Sequence, residues 1–378
     1  MKEGWTYKKL GEICRIERGG SPRPIKDFIT QDPNGLNWIK IGDTDPQGKY
    51  IYSTKEKIKP EGLRKSRWVE EDEFLLSNSM SFGRPYILKT NGCIHDGWLV
   101  LRDYQKNLFI DFFYYMLLSS NVQKQFKTKA QGSTVSNLNT DRVAGVCVSF
   151  PSIQEQQRIV SRLDSAFAHI DELKANAEKQ LSEARALFQK ALTKAMEPKE
   201  GWEEKRLPEI SENLDSMRKP VTKKDRTEGI YPYYGASGIV DYVDDYIFDE
   251  NLLCISEDGA NLLMRTYPIA FPISGKVWVN NHAHVLRFKC MTTQRYIEYF
   301  FAGIKLDEYI TGAAQPKLTQ KALNNITINI PDSIEEQQRI VSRLDSLSAH
   351  VRELEEVTQK TIAECDALKQ ALLRKVFE

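Results

Sequence analysis

No stretch of this 378-residue chain approaches the ~20 consecutive apolar residues that a membrane-spanning helix needs. The first residues, MKEGWTYKKLGEI, lack the apolar core of a secretory leader, so a cytoplasmic location is expected. Cysteine is sparse. Cys14, Cys93, Cys147, Cys254, Cys290 and Cys365 form no CxxC pair, which excludes a zinc cluster of that spacing and gives no sign of a disulfide framework. A dominant charge sign is also missing, with a net charge of +1. That balance hides an uneven distribution. Residues 1–150 carry 23 Lys and Arg against 17 Asp and Glu, a surplus of six, and residues 151–197 balance at 7 and 7. Residues 198–330 have 16 against 18, and residues 331–378 have 7 against 10. A polyanionic partner is therefore weakly supported by composition for the first segment and unsupported for the second.

What is present is repetition. SIQEQQRIVSRLDS (Ser152–Ser165) returns as SIEEQQRIVSRLDS (Ser333–Ser346), and the alignment runs on without a gap to Glu197 and Glu378. In the first copy Ile159, Leu163, Ala166, Ile170, Leu173, Ala177, Leu181, Ala184, Phe188, Ala191 and Ala195 recur in steps of three and four. Those steps predict a long amphipathic helix with a coiled-coil seam. The second copy keeps most of them at Ile340, Leu344, Leu347, Val351, Leu354, Ile362, Cys365, Leu372 and Val376, with a stutter around Ala177 and Thr358 and an interruption at Lys369. Each copy opens with a capping box, Ser152 with Glu155 and Ser333 with Glu336. About 45 residues at ~1.5 Å each give rods of roughly 65–70 Å, too long to bury a stripe alone.

Two further repeats frame the remainder. KEGWTYKKLGEI (Lys2–Ile13) matches KEGWEEKRLPEI (Lys199–Ile210), and Gly132–Pro151 aligns with Gly312–Pro331. The unit is a KEGW lead-in, a body, an alternating strand, a proline and a long helix, used twice. The bodies resemble each other faintly. Each carries a short aromatic helix, DFFYYMLLSS (111–120) or RYIEYFFAGI (295–304), and short β-rich runs between Gly, Pro and Asn, which predict a mixed α/β body with a twisted sheet. The division is 1–150, 151–197, 198–330 and 331–378. Two equal units in one chain imitate a two-fold dimer, with antiparallel helices and a body at each end of the rod. Such a protein suits a ligand with two half-sites, DNA above all. Equally, the duplication serves only to build a coiled-coil scaffold that spaces two unrelated binding modules.

The succession PSIQEQQRIVSRLD, long helix, KEGW, second body and IPDSIEEQQRIVSRLD resembles the specificity subunit of type I restriction-modification systems over the whole chain. The second body adds YPYYGASGIVDYVDDYIFDENLLCISEDGA (231–260) and GKVWVNNHAHVLRFK (275–289), similar to one class of that family's target-recognition domains. The first resembles another class through GGSPRP (19–24), NWIKIGD (37–43) and CIHDGWLVLR (93–102). The resemblance implies an α+β (mixed α/β) fold of two target-recognition domains separated by two long helices forming an antiparallel coiled coil, with internal pseudo-two-fold symmetry. It implies that each domain reads half of a bipartite site on double-stranded DNA and that the helices set the spacer. It further implies docking of two methyltransferase subunits, which bind S-adenosylmethionine, and completion of the complex by a motor-nuclease restriction subunit. This chain itself is then expected to hold no cofactor.

No catalytic constellation is present. The Asn/Asp-Pro-Pro-aromatic motif and glycine-rich loop of adenine methyltransferases are missing, and GDTDPQGKY (Gly42–Tyr50) reads as a turn rather than a phosphate loop. His282 and His284 alternate along a predicted strand, so a shared metal is not expected. Base and phosphate contacts call for Arg, Lys, Asn, Gln and loop N–H groups. The candidates are Arg18, Ser21, Arg23, Lys40, Asp43, Ser81, Arg84, His95, Asp96 and Ser133 in the first body. In the second they are Tyr233, Tyr234, Ser237, Asp258, Asn281, His282, Gln315 and Lys317. The acidic run Asp241, Asp244, Asp245, Asp249 and Glu250 is expected to face away from phosphates. Identity between the helices at Gln156, Gln157, Arg158 and Arg162, and at Gln337, Gln338, Arg339 and Arg343, points to one external partner surface used twice.

Overall fold

The structure, a computed structural model, describes residues 2–46, 48–78, 83–130, 138–312 and 315–378; Ser81 and Ser133 lie outside the described residues. The chain divides into two compact units, Met1–Asn176 with Lys360–Glu378, and Ala177–Gln359. Each contains one body and a part of both long helices, Ile153–Ala195 and Ile334–Phe377. In the first unit Lys369 reaches Asp171 at 2.5 Å and Lys174 reaches Asp366 at 3.5 Å, so the helices run antiparallel. In the second, Arg185 grips Glu355 with bonds of 2.8 and 2.6 Å. Lys369 does not break the seam. Its ammonium lies 5.4 Å from the Phe167 ring and its side chain is half-buried. One seam expectation fails, at Leu173, which is 59% exposed; Thr358, at the stutter, is buried with its hydroxyl unpartnered among the described residues.

The repeated helix start is explained by what it touches. Ser152 accepts the N–H of Glu155 at 3.5 Å and Ser333 that of Glu336 at 3.3 Å, the first half of each capping box. The carboxylates do not complete the box but turn to Arg158 and Arg339, at 3.0 and 2.8 Å. Val160 and Leu163, like Val341 and Leu344, are buried against the aromatic helices Ile110–Leu118 and Met291–Gly303. Each such side chain removed from water stabilises its unit by about 1.5–3 kcal/mol.

Gln156 and Gln337 correct the expectation of an exposed partner surface, because both are buried. Gln156 accepts the N–H of Phe109 at 2.8 Å and donates to the carbonyls of Asn107 and Pro151, each at 2.9 Å. Gln337 accepts the hydroxyl of Thr293 and donates to the carbonyl of Pro331, each at 2.8 Å. Both amides satisfy groups that the joint between body and helix would otherwise bury unpaired. Next to them Asp164 accepts the hydroxyl of Tyr115, and Asp345 accepts that of Tyr299 at 2.7 Å. The KEGW repeat is part of the same packing. Its strands pair antiparallel with the alternating ones, Thr6–Lys9 with Cys147–Phe150 and Trp202–Arg206 with Thr327–Pro331. Trp5 packs on Phe112 and Phe377, and Trp202 on Tyr296.

The two bodies, so unlike in sequence, share the order of four strands in each of two sheets, to which the first body alone adds the edge strands Tyr50–Ile51 and Ile29–Thr30. In the first, Arg15–Arg18, Trp98–Arg102, Phe74–Ser77 and Pro85–Leu88 form an antiparallel sheet; in the second, Ser211–Asn213, Ala283–Phe288, Leu252–Ser256 and Ala270–Ile273 do so in the same order. The other sheet runs Glu56–Ile58, Leu36–Ile39, Gly92–Ile94 and Arg67–Val69 against Gly238–Val243, Glu228–Gly235, Lys276–Val279 and Phe248–Asp249. The middle pair is parallel in both bodies.

Candidate nucleic-acid interface

A matched set of backbone hydrogen bonds gathers the loops at one corner of each body. Asn78 N–H donates to Gly97 O at 3.0 Å, as Glu257 N–H does to His282 O at 2.9 Å. Leu138 N–H then donates to Asn78 O at 3.0 Å, as Leu318 N–H does to Glu257 O at 2.8 Å. These bonds use only main-chain atoms, so side chains there are free to differ.

In the first body the corner is organised by Asp96. Its carboxylate accepts the Ser21 hydroxyl at 2.7 Å and lies 3.4 Å from Arg23, and its carbonyl accepts from Arg18 at 3.1 Å and from the buried Asn78 at 2.8 Å. The Ser21 hydrogen bond, aided by His95 and Arg23, holds the Asp96 carboxyl below its usual range despite partial burial. His95 folds back so that Nδ1 accepts Gly97 N–H at 2.8 Å, and a Cβ at Gly97 would meet that ring at 2.2 Å. Burial holds the His95 imidazole below its ordinary value. Ser21, Arg23, Lys40, His95 and Asp96 line a single cleft of about 1120 Å³ floored by Trp38 and Ile41. Arg23 is 82% exposed at its rim, while Lys40 is paired with Glu56 at 2.6 Å. Asp43 and Arg84 stand apart. Asp43 accepts the N–H of Lys40 at 2.8 Å to close a turn, and Arg84 is half-buried with its guanidinium 3.3 Å from Gly48 O.

In the second body the corner rests on buried charge. His284, in the place of Leu99, sets Nδ1 2.6 Å from Asp215 and Nε2 2.8 Å from Leu318 O, acceptors on both sides. Arg218 bonds Glu257 at 2.6 Å and Asp215 at 3.3 Å, and Lys317 pairs with Glu257 at 3.1 Å. Burial pushes the Asp215 carboxyl up, but His284, Val285 N–H and Arg218 outweigh it and hold it low. Glu257 is held low in the same way by Arg218, His284 and Lys317. Ligand atoms of Asp215, Glu257 and His284 lie within 4.8 Å of one another, a spacing that suits a metal ion. Arg218 and Lys317 already meet both carboxylates there, so this triad is a salt-bridge network rather than a cation site.

Around that network stand Asp258, Asn281, His282, Gln315 and Lys317, brought together as expected, with all but Asp258 exposed. Tyr233 is corrected: it is core, 1% exposed, its hydroxyl at Val221 and the Arg226 guanidinium 4.2 Å from its ring centroid. Tyr234 is half-buried and Ser237 sits on the exposed turn beyond it. Within the acidic run, Asp241 pairs with Arg226 at 2.9 Å and Glu250 with Arg287 at 2.6 Å. On the long helices Gln157, Arg158, Arg162, Gln338, Arg339 and Arg343 are exposed. Among the described residues no helix is long and apolar enough to cross a membrane.

Residues 2–183 and 199–364 each match the type I restriction modification DNA specificity domain. The chain belongs to that family. A Haemophilus influenzae protein designated a type I restriction enzyme specificity subunit is 36% identical over 145 residues, which span 38% of this chain and 37% of that relative. The MjaIX specificity subunit of Methanocaldococcus jannaschii is 22% identical over 423 residues, covering all of this chain and 93% of its own. A chain in a solved structure concerning complex assembly and conformational transition of the type I R-M system superposes with a TM-score of 0.80 at 19% identity, covering 100% of this chain and 98% of that one.

As a specificity chain it carries two DNA-recognition domains in tandem. Sequence reasoning passed over Asn78, Asp215, Arg218, Glu257, Asn280 and His284. Only His284 left a trace, as the second half of an alternating His pair, and its acceptors come from residues 69 and 34 positions away.

Proposed function

We propose that this chain reads a bipartite, asymmetric site on double-stranded DNA, one half with each body, and performs no chemistry itself. The observation that carries this reading is the shared main-chain frame, which presents different side chains at the same corner of two otherwise equivalent domains. A reader of two unlike half-sites needs that combination. The long helices fix the unread spacer and offer Gln157, Arg158 and Arg162, and again Gln338, Arg339 and Arg343, to two methyltransferase subunits. Those subunits bind S-adenosylmethionine, and a motor-nuclease subunit completes the restriction complex.

Methylome sequencing of the host, with and without the gene, tests the reading. A bipartite methylated motif disappears with the gene, and replacing residues 198–330 by another such body changes one half only. A motif that persists, or that changes in both halves, contradicts it.

A further inference from the structure

Among the corner residues, one has both its main chain and one ring nitrogen held while the other ring nitrogen faces solvent. His282 donates its N–H to Oδ1 of Asn280 at 2.8 Å and accepts Glu257 N–H on its carbonyl at 2.9 Å. Its ring sets Nδ1 2.8 and 3.0 Å from the two oxygens of Asp258. Asp258 is itself fixed, with its side chain 14% exposed and its backbone bridged to Lys317. No partner meets Nε2 among the described residues, and the His282 side chain is 48% exposed. A hydrogen-bonding atom with a fixed direction and no protein partner is what a base-reading site requires, because its ordering cost is met before binding.

We propose that His282 is a specificity-determining residue of the second body and that Asp258 positions it; this rests on the two-half-site reading above. A carboxylate only accepts, so Nδ1 carries a proton, and in the tautomer with that proton alone Nε2 presents its lone pair outward. In the major groove an acceptor is met by the exocyclic amino group of adenine or cytosine and is opposed by the O6 of guanine or the O4 of thymine. His282 therefore selects amino bases over keto bases at one position on one strand. The first body lacks this device: Gly97 occupies the matched place, and His95 is folded over it.

The test is selection from a random-sequence duplex DNA pool by the full chain with its methyltransferase subunits at neutral pH, comparing wild type with His282→Ala, His282→Gln and Asp258→Ala. Wild type selects a bipartite motif with adenine or cytosine at one strand position of one half. His282→Ala and Asp258→Ala each reduce discrimination there about tenfold, at the same position, and leave the other half unchanged. His282→Gln, which offers both donor and acceptor at similar reach, accepts amino and keto bases alike there. Unchanged preference, different positions for the two alanine variants, joint loss of both halves, or guanine or thymine at that position overturns the assignment. Failure of wild type to select any bipartite motif refutes the parent reading instead.

Discussion

The two bodies hold the same corner by different means. The first ties Arg18, Ser21 and Arg23 to Asp96, whose side chain is 42% exposed, and leaves a cleft open beside it. The second sinks Asp215, Arg218, Glu257 and His284 into the protein, lets Lys317 stand on Glu257 and rests His282 on Asp258 beside them. Both hold polar loop side chains in fixed positions, as the proposed DNA contacts require. The frame of main-chain bonds leaves the choice of support free, and that freedom lets one fold carry unrelated specificities.

Breaking each support should expose the difference. Arg218→Leu leaves Asp215 and Glu257 undercompensated and should cost the second unit about 3–5 kcal/mol. Asp96→Asn, at a wetter site, should cost the first about 1 kcal/mol. Hydrogen exchange at Leu252–Ser256 and at Phe74–Ser77 measures the two separately, and equal losses would erase the distinction. A smaller contrast is expected at the joints. Gln156→Ala strands one amide and two carbonyls, at about 3 kcal/mol, whereas Gln337→Ala strands one carbonyl and one hydroxyl, at about 2 kcal/mol. Urea unfolding followed by exchange in each unit tests that order.

Acid sharpens the comparison further. The native His95 value lies below that of the unfolded chain, near 6.5, so the unfolded state binds the extra proton between the two. The first unit therefore loses stability as pH falls below about 6.5, until His95 itself titrates. In the second, Asp215 and Glu257 are held low, so their contribution is present above about pH 4 and is lost as pH falls from there through their native values. Exchange protection at pH 5.5 should thus drop in the first body before the second, and the reverse order contradicts the assignment. The smallest effect on folding is expected from Arg158→Glu with Arg339→Glu, because both are exposed. The same pair should reduce co-purification of the methyltransferase subunits, and unchanged stoichiometry would argue against the helical docking surface.

The frame was legible in the sequence because helical period, cap residues and the KEGW repeat are local signals. Asp96 and its arginines were legible too, since polar residues between Gly and Pro mark loops. Gln156 was misread because a glutamine on a charged helix looks exposed, and the Asn107 carbonyl and Phe109 N–H that it bonds belong to a segment nearly fifty residues away. Tyr233 was misread for a related reason: nothing nearby in the chain reveals that Arg226 and Val221 will close over it. The equivalence of the bodies was hidden most deeply, because main-chain bonds such as that from Asn78 to Gly97 leave no mark on residue identity.

The buried glutamines have a consequence for how such chains change. Each sits in the most closely repeated stretch of the chain and bonds the carbonyl of the proline that joins its body to its helix. Genetic crossover within that stretch would deliver an incoming body to a socket already shaped for Gln and Pro. A new combination of half-sites could then arise in a single exchange, with no compensating substitution at the joint.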